Sequence, residues 1–365
     1  MGRVRLRALA IELTAACNQK CDYCYNEWRE DGGAHVHTGG PERLRARVER
    51  LLGAFELSEV TLTGGEPFAR PDFFDLLELV EAHVPTVKII SNGGLVTRAF
   101  AERLARHRVA FVQITLNGPD AALHEELVGG TGHFRPTLAG IRLLVEHGVP
   151  VVGCTVVTRK NAARVGETLE LFRSLGVERI ALSRFSPAGY AARNAAALLP
   201  SRTDLLAAFE QAAPFARDHG MKLHVTMPVP PCAVEVERFP ELAFGSCPIG
   251  TSDQEFALSP DGRLRHCTLH GGALGGVPDV LDPAIDLAAL VASREVKEYR
   301  RELPEFCTGC GHAATCGGGC GAAATWVFGS RRFVDPLVAQ HVDDTFAAEL
   351  ERARAPRRMR LDVIQ

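Results

Sequence analysis

The sequence predicts an α/β protein in which parallel strands close, fully or partly, into a barrel, followed by a small cysteine-rich module. Three observations carry this expectation: six alternations of β-rich and helix-like segments, a change of composition beyond residue 220, and eleven cysteines gathered mostly near the start and in the last third.

The β-rich segments fall at about 8–14, 60–63, 87–91, 111–116, 150–157 and 179–184. Helix-like periodicity occupies 41–54, 71–83, 97–107, 135–147, 164–175 and 203–219. Strands separated by helices must run parallel and be joined by right-handed crossovers. In such barrels the working residues sit on loops after the C-terminal ends of the strands. Domain boundaries are expected at 1–220 for the barrel, 221–245 for a Pro-rich linker, 246–340 for the cysteine-rich module and 341–365 for a helical tail.

With 365 residues, 46% of them apolar, and a net charge of −3, the chain can bury one large core and a smaller second one. No apolar run reaches membrane-spanning length, and Met1-Gly2-Arg3-Val4-Arg5-Leu6 has neither a signal-peptide core nor a myristoylation pattern, so a cytoplasmic protein is expected. No basic stripe is present to meet nucleic acid, and Arg352 to Arg360 reads as a solvated helix end. In the cytosol eleven cysteines point to metal binding rather than disulfides.

Directly after the first apolar run stand Cys17, Cys21 and Cys24, spaced C-x3-C-x2-C, with Tyr23 before the third. Three thiolates on one loop can hold three irons of a [4Fe–4S] cluster and leave the fourth open to a ligand. A zinc knuckle is the bland reading, but zinc sites favour C-x2-C pairs or Cys/His sets, and the nearest histidines, His35 and His37, lie in a Gly-rich loop. The C-x3-C-x-aromatic-C pattern at a strand end resembles the radical S-adenosylmethionine enzymes. That resemblance implies a partial (β/α)6 barrel, like that of the triosephosphate isomerase type, with a [4Fe–4S] cluster that gives one electron to S-adenosylmethionine. Cleavage then yields methionine and a 5′-deoxyadenosyl radical, which takes hydrogen from an unactivated carbon. An external donor of flavodoxin or ferredoxin type would supply the electron.

At the end of the second strand Thr63 leads into Gly64-Gly65-Glu66-Pro67. Glycines let backbone approach a partner closely, and a carboxylate can pair with an ammonium group. The resemblance assigns these residues to the amino group of S-adenosylmethionine, whereas a plain turn explains the glycines and Pro67 alone. Ser91 and Asn92 at the third strand tip resemble the family's ribose and carboxylate contacts. Asn117 stands where relatives usually carry Asp; it keeps hydrogen-bonding capacity but cannot act as a general base. Arg184, ending the sixth strand, is a candidate partner for a carboxylate of cofactor or substrate.

In the last third, Cys247, Gly262 and Cys267 form C-x14-G-x4-C around an expected β-hairpin with a Pro-Asp-Gly turn, and Cys307, Cys310, Cys316 and Cys320 form C-x2-C-x5-C-x3-C. A zinc ribbon fits these pairs on their own. Together with the N-terminal motif they resemble the SPASM extension, which implies one or two auxiliary iron–sulfur clusters. In that pattern Cys247, Cys267 and Cys320 serve the first cluster, and Cys307, Cys310 and Cys316 the second. A seventh cysteine follows an Asp-Pro in the family, but here Asp335-Pro336 leads to Val338. Asp335, His312 and His341 are candidate substitutes. Cys232 is expected to complete the first cluster, to donate hydrogen in catalysis, or merely to pack; Cys154, mid-strand, reads as a small buried hydrophobe.

The resemblance implies modification of a ribosomally made peptide by crosslinking, thioether formation or oxidation. With the motif starting at residue 17, a leader-binding partner on a separate chain is expected. Dehydrogenation or epimerisation of a small metabolite such as an aminocyclitol or sugar is the alternative. An iron–sulfur scaffold or electron carrier would leave Gly64-Gly65-Glu66-Pro67 without a purpose.

Overall fold

The computed structural model describes residues 3–29 and 39–342; His35, His37, Arg352 to Arg360 and most of the expected tail lie outside the described residues. Six parallel strands form the centre: β1 (Val4–Glu12), β2 (Phe55–Thr63), β3 (Thr86–Ser91), β4 (Val109–Thr115), β5 (Val151–Val157) and β6 (Arg179–Arg184). Each overlaps an expected segment, although β1 and β2 begin earlier than expected, at Val4 and Phe55. β1 buries every residue from Ala8 to Glu12, the pattern of a strand covered on both faces.

The helices between them are α1 (Gly40–Ala54), α2 (Phe73–Glu81), α3 (Arg98–Leu104), α4 (Ala121–Val128), α5 (Phe134–Glu146) and α6 (Val165–Ser174). In α1 the buried Leu44, Arg47, Val48, Leu51 and Leu52 recur at helical spacing, so one stripe faces the sheet. Helix α4 was not expected, although its signals are legible: Asp120 caps Leu123 N, and Gly129 ends the helix in the left-handed conformation. The helix Arg202–His219 starts on a Ser201/Asp204 capping box.

The sheet has ten strands, in the order β10-β9-β1-β2-β3-β4-β5-β6-β7-β8. The stretch 221–245, expected as a linker, contributes β7 (Lys222–Val225) and β8 (Leu242–Phe244), both parallel additions beyond β6. The expected hairpin is β9 (Glu255–Leu258) with β10 (Leu264–Arg265), and β9 pairs in parallel with β1. One apolar core runs from Leu9 through Leu287 to Val338, so the barrel and the cysteine-rich part share their interior. Full burial of each Leu, Ile, Val or Phe stabilises by about 1.5–3 kcal/mol, which ties the two parts energetically.

Candidate active site

A cavity of about 270 Å³ opens at the C-terminal ends of the strands. Cys17, Cys21 and Cys24 border it, as do Gly64, Gly65, Ser91 and Asn92 from the ends of β2 and β3. Gln113 and Thr115 of β4 and Cys154 and Val156 of β5 complete much of its wall.

The cysteine loop is held by backbone contacts from several elements. Gly65 N donates to Thr14 O at 2.7 Å, Glu66 N to Ala16 O at 2.9 Å, and Asn26 Nδ2 to Gly64 O at 2.9 Å. A Cβ on Gly65 would sit 2.1 Å from Ala16 O, so no larger residue fits this approach. From the other side Lys20 N and Asp22 N donate to Val128 O and Leu127 O at 3.1 and 3.0 Å, and Ala191 N donates to Cys24 O at 2.9 Å. The two glycines therefore clamp the cysteine loop.

Glu66 is fully buried and accepts from Phe68 N at 3.0 Å, Ser91 Oγ at 2.8 Å and Asn92 N at 2.8 Å. Burial lifts its carboxyl to about 7 against those hydrogen bonds, which favour the charged form. These contacts make the carboxylate fix the tip of β3. Asn92 in turn donates to Asn18 Oδ1 at 2.7 Å and lies 4.0 Å from Cys17 Sγ, while Ser91 is occupied with Glu66.

Tyr23 is half-buried on the cavity wall, with its hydroxyl against Cys21 and Asn117. Asn117 is excluded from solvent and does not border the cavity; its Oδ1 accepts from Val156 N at 2.8 Å, splicing β4 to β5. Pro67 is buried at the start of a short 3-10 turn and also stands off the cavity wall. Arg184 borders the cavity, but its guanidinium meets protein groups: Nε donates to Pro228 O, and Nη2 pairs with Asp335. The carboxylate it was expected to find in a ligand is supplied by the chain itself.

Sequence reasoning missed Glu12, which is fully buried at the end of β1 and paired with Arg265 of the hairpin. Burial holds its carboxyl near 7 despite that arginine, and its Oε1 lacks a partner among the described residues. A single carboxylate inside the apolar run of β1 was the available signal.

The remaining thiols form two groups. Cys247, Cys267 and Cys320 surround Tyr299: burial first, then these neighbouring thiols, raise its pKa, and its buried hydroxyl has no hydrogen-bond partner among the described residues. Cys307, Cys310 and Cys316 border a second cavity, of about 280 Å³, together with Cys232, His312 and Val338. Cys232 thus borders the cavity of the second set and not the barrel cavity. Asp335 is no candidate ligand either: it is fully buried, accepting from Arg184, from Cys320 N at 2.7 Å and from Leu337 N at 2.8 Å. His341 does not border this cavity. Among the described residues no three His, Cys, Asp or Glu side chains converge on a single metal ion; the Cys17 and Cys307 sets instead border cavities of hundreds of cubic ångströms.

Fold and site together define an α/β protein whose mostly parallel sheet forms a partial barrel, with a thiol-lined cavity at the strand ends and two further thiol groups beside it. Residues 11–185 match the family model of the radical SAM superfamily, so the chain carries a radical SAM domain and is an enzyme. It is 27% identical over 337 residues to the PqqA peptide cyclase of Gluconobacter oxydans, covering 90% of this chain and 89% of that one. To the mycofactocin maturase MftC of Mycobacterium tuberculosis it is 28% identical over 378 residues, covering 95% and 87%. Among solved structures it is similar in fold to AdoMet-bound anSMEcpe, with a TM-score of 0.67 at 18% identity over 96% of this chain and 97% of that one. It is also similar to Streptococcus suis SuiB bound to precursor peptide SuiA, with a TM-score of 0.65 at 18% identity over 92% and 76%. Among the described residues no helix is long and apolar enough to cross a membrane.

Proposed function

We propose that this enzyme modifies a ribosomally made precursor peptide by radical chemistry, with Cys17, Cys21 and Cys24 holding a [4Fe–4S] cluster at the barrel cavity. The residues fit such a group. Three thiols of one clamped loop border one cavity, and beside them the buried Gln19 Nε2 and Asn26 Oδ1 have no protein partner among the described residues. Bound there, cluster and S-adenosylmethionine supply a one-electron reductive cleavage and a hydrogen-abstracting species. The chain's own part is to hold the loop rigid through Gly64 and Gly65, to fix Asn92 beside Cys17 through Glu66, and to close the wall with β4 and β5.

The observation that carries the cluster reading is the clamp between the glycine and cysteine loops at the strand ends. Similarity along nearly the whole length to a PqqA peptide cyclase and a mycofactocin maturase supports the peptide substrate. Cys247, Cys267 and Cys320, and separately Cys307, Cys310 and Cys316, are read as ligands of two auxiliary clusters. The same reading takes the electron from a flavodoxin- or ferredoxin-type donor in a reducing cytosol and leaves the leader to a separate protein. No observation favours a metabolite epimerase, since Cys232 lies off the barrel cavity.

The test is to reconstitute the full chain anaerobically, reduce it, and measure S-adenosylmethionine cleavage and the mass of a short precursor encoded beside it. Cleavage with loss of hydrogen from the peptide is expected, and none in the Cys17→Ala/Cys21→Ala/Cys24→Ala variant. Retained cleavage in that variant removes the assignment; cleavage without any change in the peptide removes the substrate class.

A further inference from the structure

Three thiols of the second set, Cys307, Cys310 and Cys316, leave one position of a four-ligand cluster open, and the residue expected to fill it from the chain's end is Val338. Val338 borders the cavity as a buried aliphatic group and offers no lone pair. Asp335 is enclosed by Arg184 and two backbone N–H groups. A fourth sulfur is nevertheless present. Cys232, 75 residues before Cys307, lies in the connection between β7 and β8 and borders the same cavity.

Its placement is built. Pro230-Pro231 fixes two φ angles just before it, and Ala233 N and Val234 N both return to Pro230 O, at 2.9 and 3.2 Å, closing a tight turn with Cys232 inside it. The thiol is exposed on this turn. A packing role is poorly served by an exposed side chain on a turn.

We propose that Cys232 is the fourth thiolate of the second auxiliary iron–sulfur cluster, replacing from upstream the ligand that Val338 has removed downstream. The inference rests on the auxiliary-cluster reading above. Its consequence is a closed cluster with no open iron, one that exchanges electrons and binds no substrate.

The experiment uses the full chain carrying Cys17→Ala/Cys21→Ala/Cys24→Ala, so that only auxiliary iron contributes, with iron content and Mössbauer and EPR spectra as readouts. Adding Cys232→Ala is expected to cost up to about four irons per chain or to convert one cluster to a three-iron signal. Further addition of Val338→Cys is expected to restore the four-iron spectrum, and His312→Ala to leave it unchanged. In the wild-type protein, reconstitution should protect Cys232 from alkylation together with Cys307, Cys310 and Cys316. Unchanged iron and spectra in the Cys232→Ala variant, with alkylation of Cys232 in the loaded protein, overturn this assignment alone. If Cys307→Ala/Cys310→Ala also changes nothing, the second cluster itself is absent and the underlying reading falls with it.

Discussion

Arg184 and Asp335 form an ion pair with both side chains wholly excluded from solvent, 151 residues apart in sequence. One ends β6; the other precedes the helix Pro336–Val342 and also caps Cys320 N. The pair joins the barrel to the segment that carries Cys320. Removing one partner of a buried pair leaves an uncompensated charge and costs about 3–5 kcal/mol. Arg184→Met alone should therefore lower the denaturation midpoint strongly, and Arg184→Met with Asp335→Leu should recover part of the loss. A single variant as stable as the wild type would remove the pair's structural role.

Gly65→Ala tests the loop clamp. The added methyl meets Ala16 O at 2.1 Å, so the cysteine loop must shift. Loss of the iron signal that depends on Cys17, Cys21 and Cys24 is expected, while auxiliary iron stays. Iron analysis and EPR distinguish this from general unfolding, which would release all of it.

Glu66→Gln replaces an acceptor-only group by one whose amide must turn a donor toward Ser91 or Asn92. An unsatisfied buried group costs about 1–3 kcal/mol, and displacement of Asn92 should weaken S-adenosylmethionine binding by up to about tenfold with iron retained. Ser91→Ala should reproduce part of both effects. Affinity that collapses with stability untouched would instead give Glu66 a direct contact with the ligand.

Asp279 sets an acid limb of stability. Partial burial opposes its charge, but hydrogen bonds from Arg47, Leu281 N and Arg43 prevail and hold its carboxyl at about 2, below the ordinary 3.8. A depressed folded value means that the contribution is complete above the unfolded pKa and is lost as pH falls from about 3.8 through about 2. It amounts to about 2 kcal/mol. Unfolding followed between pH 5 and 2 should show this loss, and Asp279→Asn should flatten it; parallel curves would deny the pairing its share.

The six central strands were legible because runs such as Val60-Thr61-Leu62 and Val87-Lys88-Ile89-Ile90 are mostly apolar, β-rich and followed by helical periodicity. The thiol spacing was equally local, so Cys17, Cys21 and Cys24 could be read as one loop. What stayed hidden was non-local. β7 and β8, of four and three residues, carry too little pattern to register. Chain proximity pointed Cys232 toward Cys247, while packing brought it to Cys307, Cys310 and Cys316. Arg184 and Glu66 carry charges that a sequence reader sends to a ligand, because nothing local reveals partners such as Asp335 or the backbone N–H of Asn92.

The pairing of β9 with β1 also bears on synthesis. Leu9 lies beside Phe256, so during synthesis β1 waits for nearly two hundred and fifty further residues before its outer edge is covered. Until then an apolar strand presents unpaired N–H and C=O groups, a template for association between nascent chains. Closing so long a loop is slow, so the yield of folded protein should depend on chaperone supply and on translation speed more than on final stability. A truncation ending before β9 would keep that edge open permanently, whatever the quality of the barrel behind it.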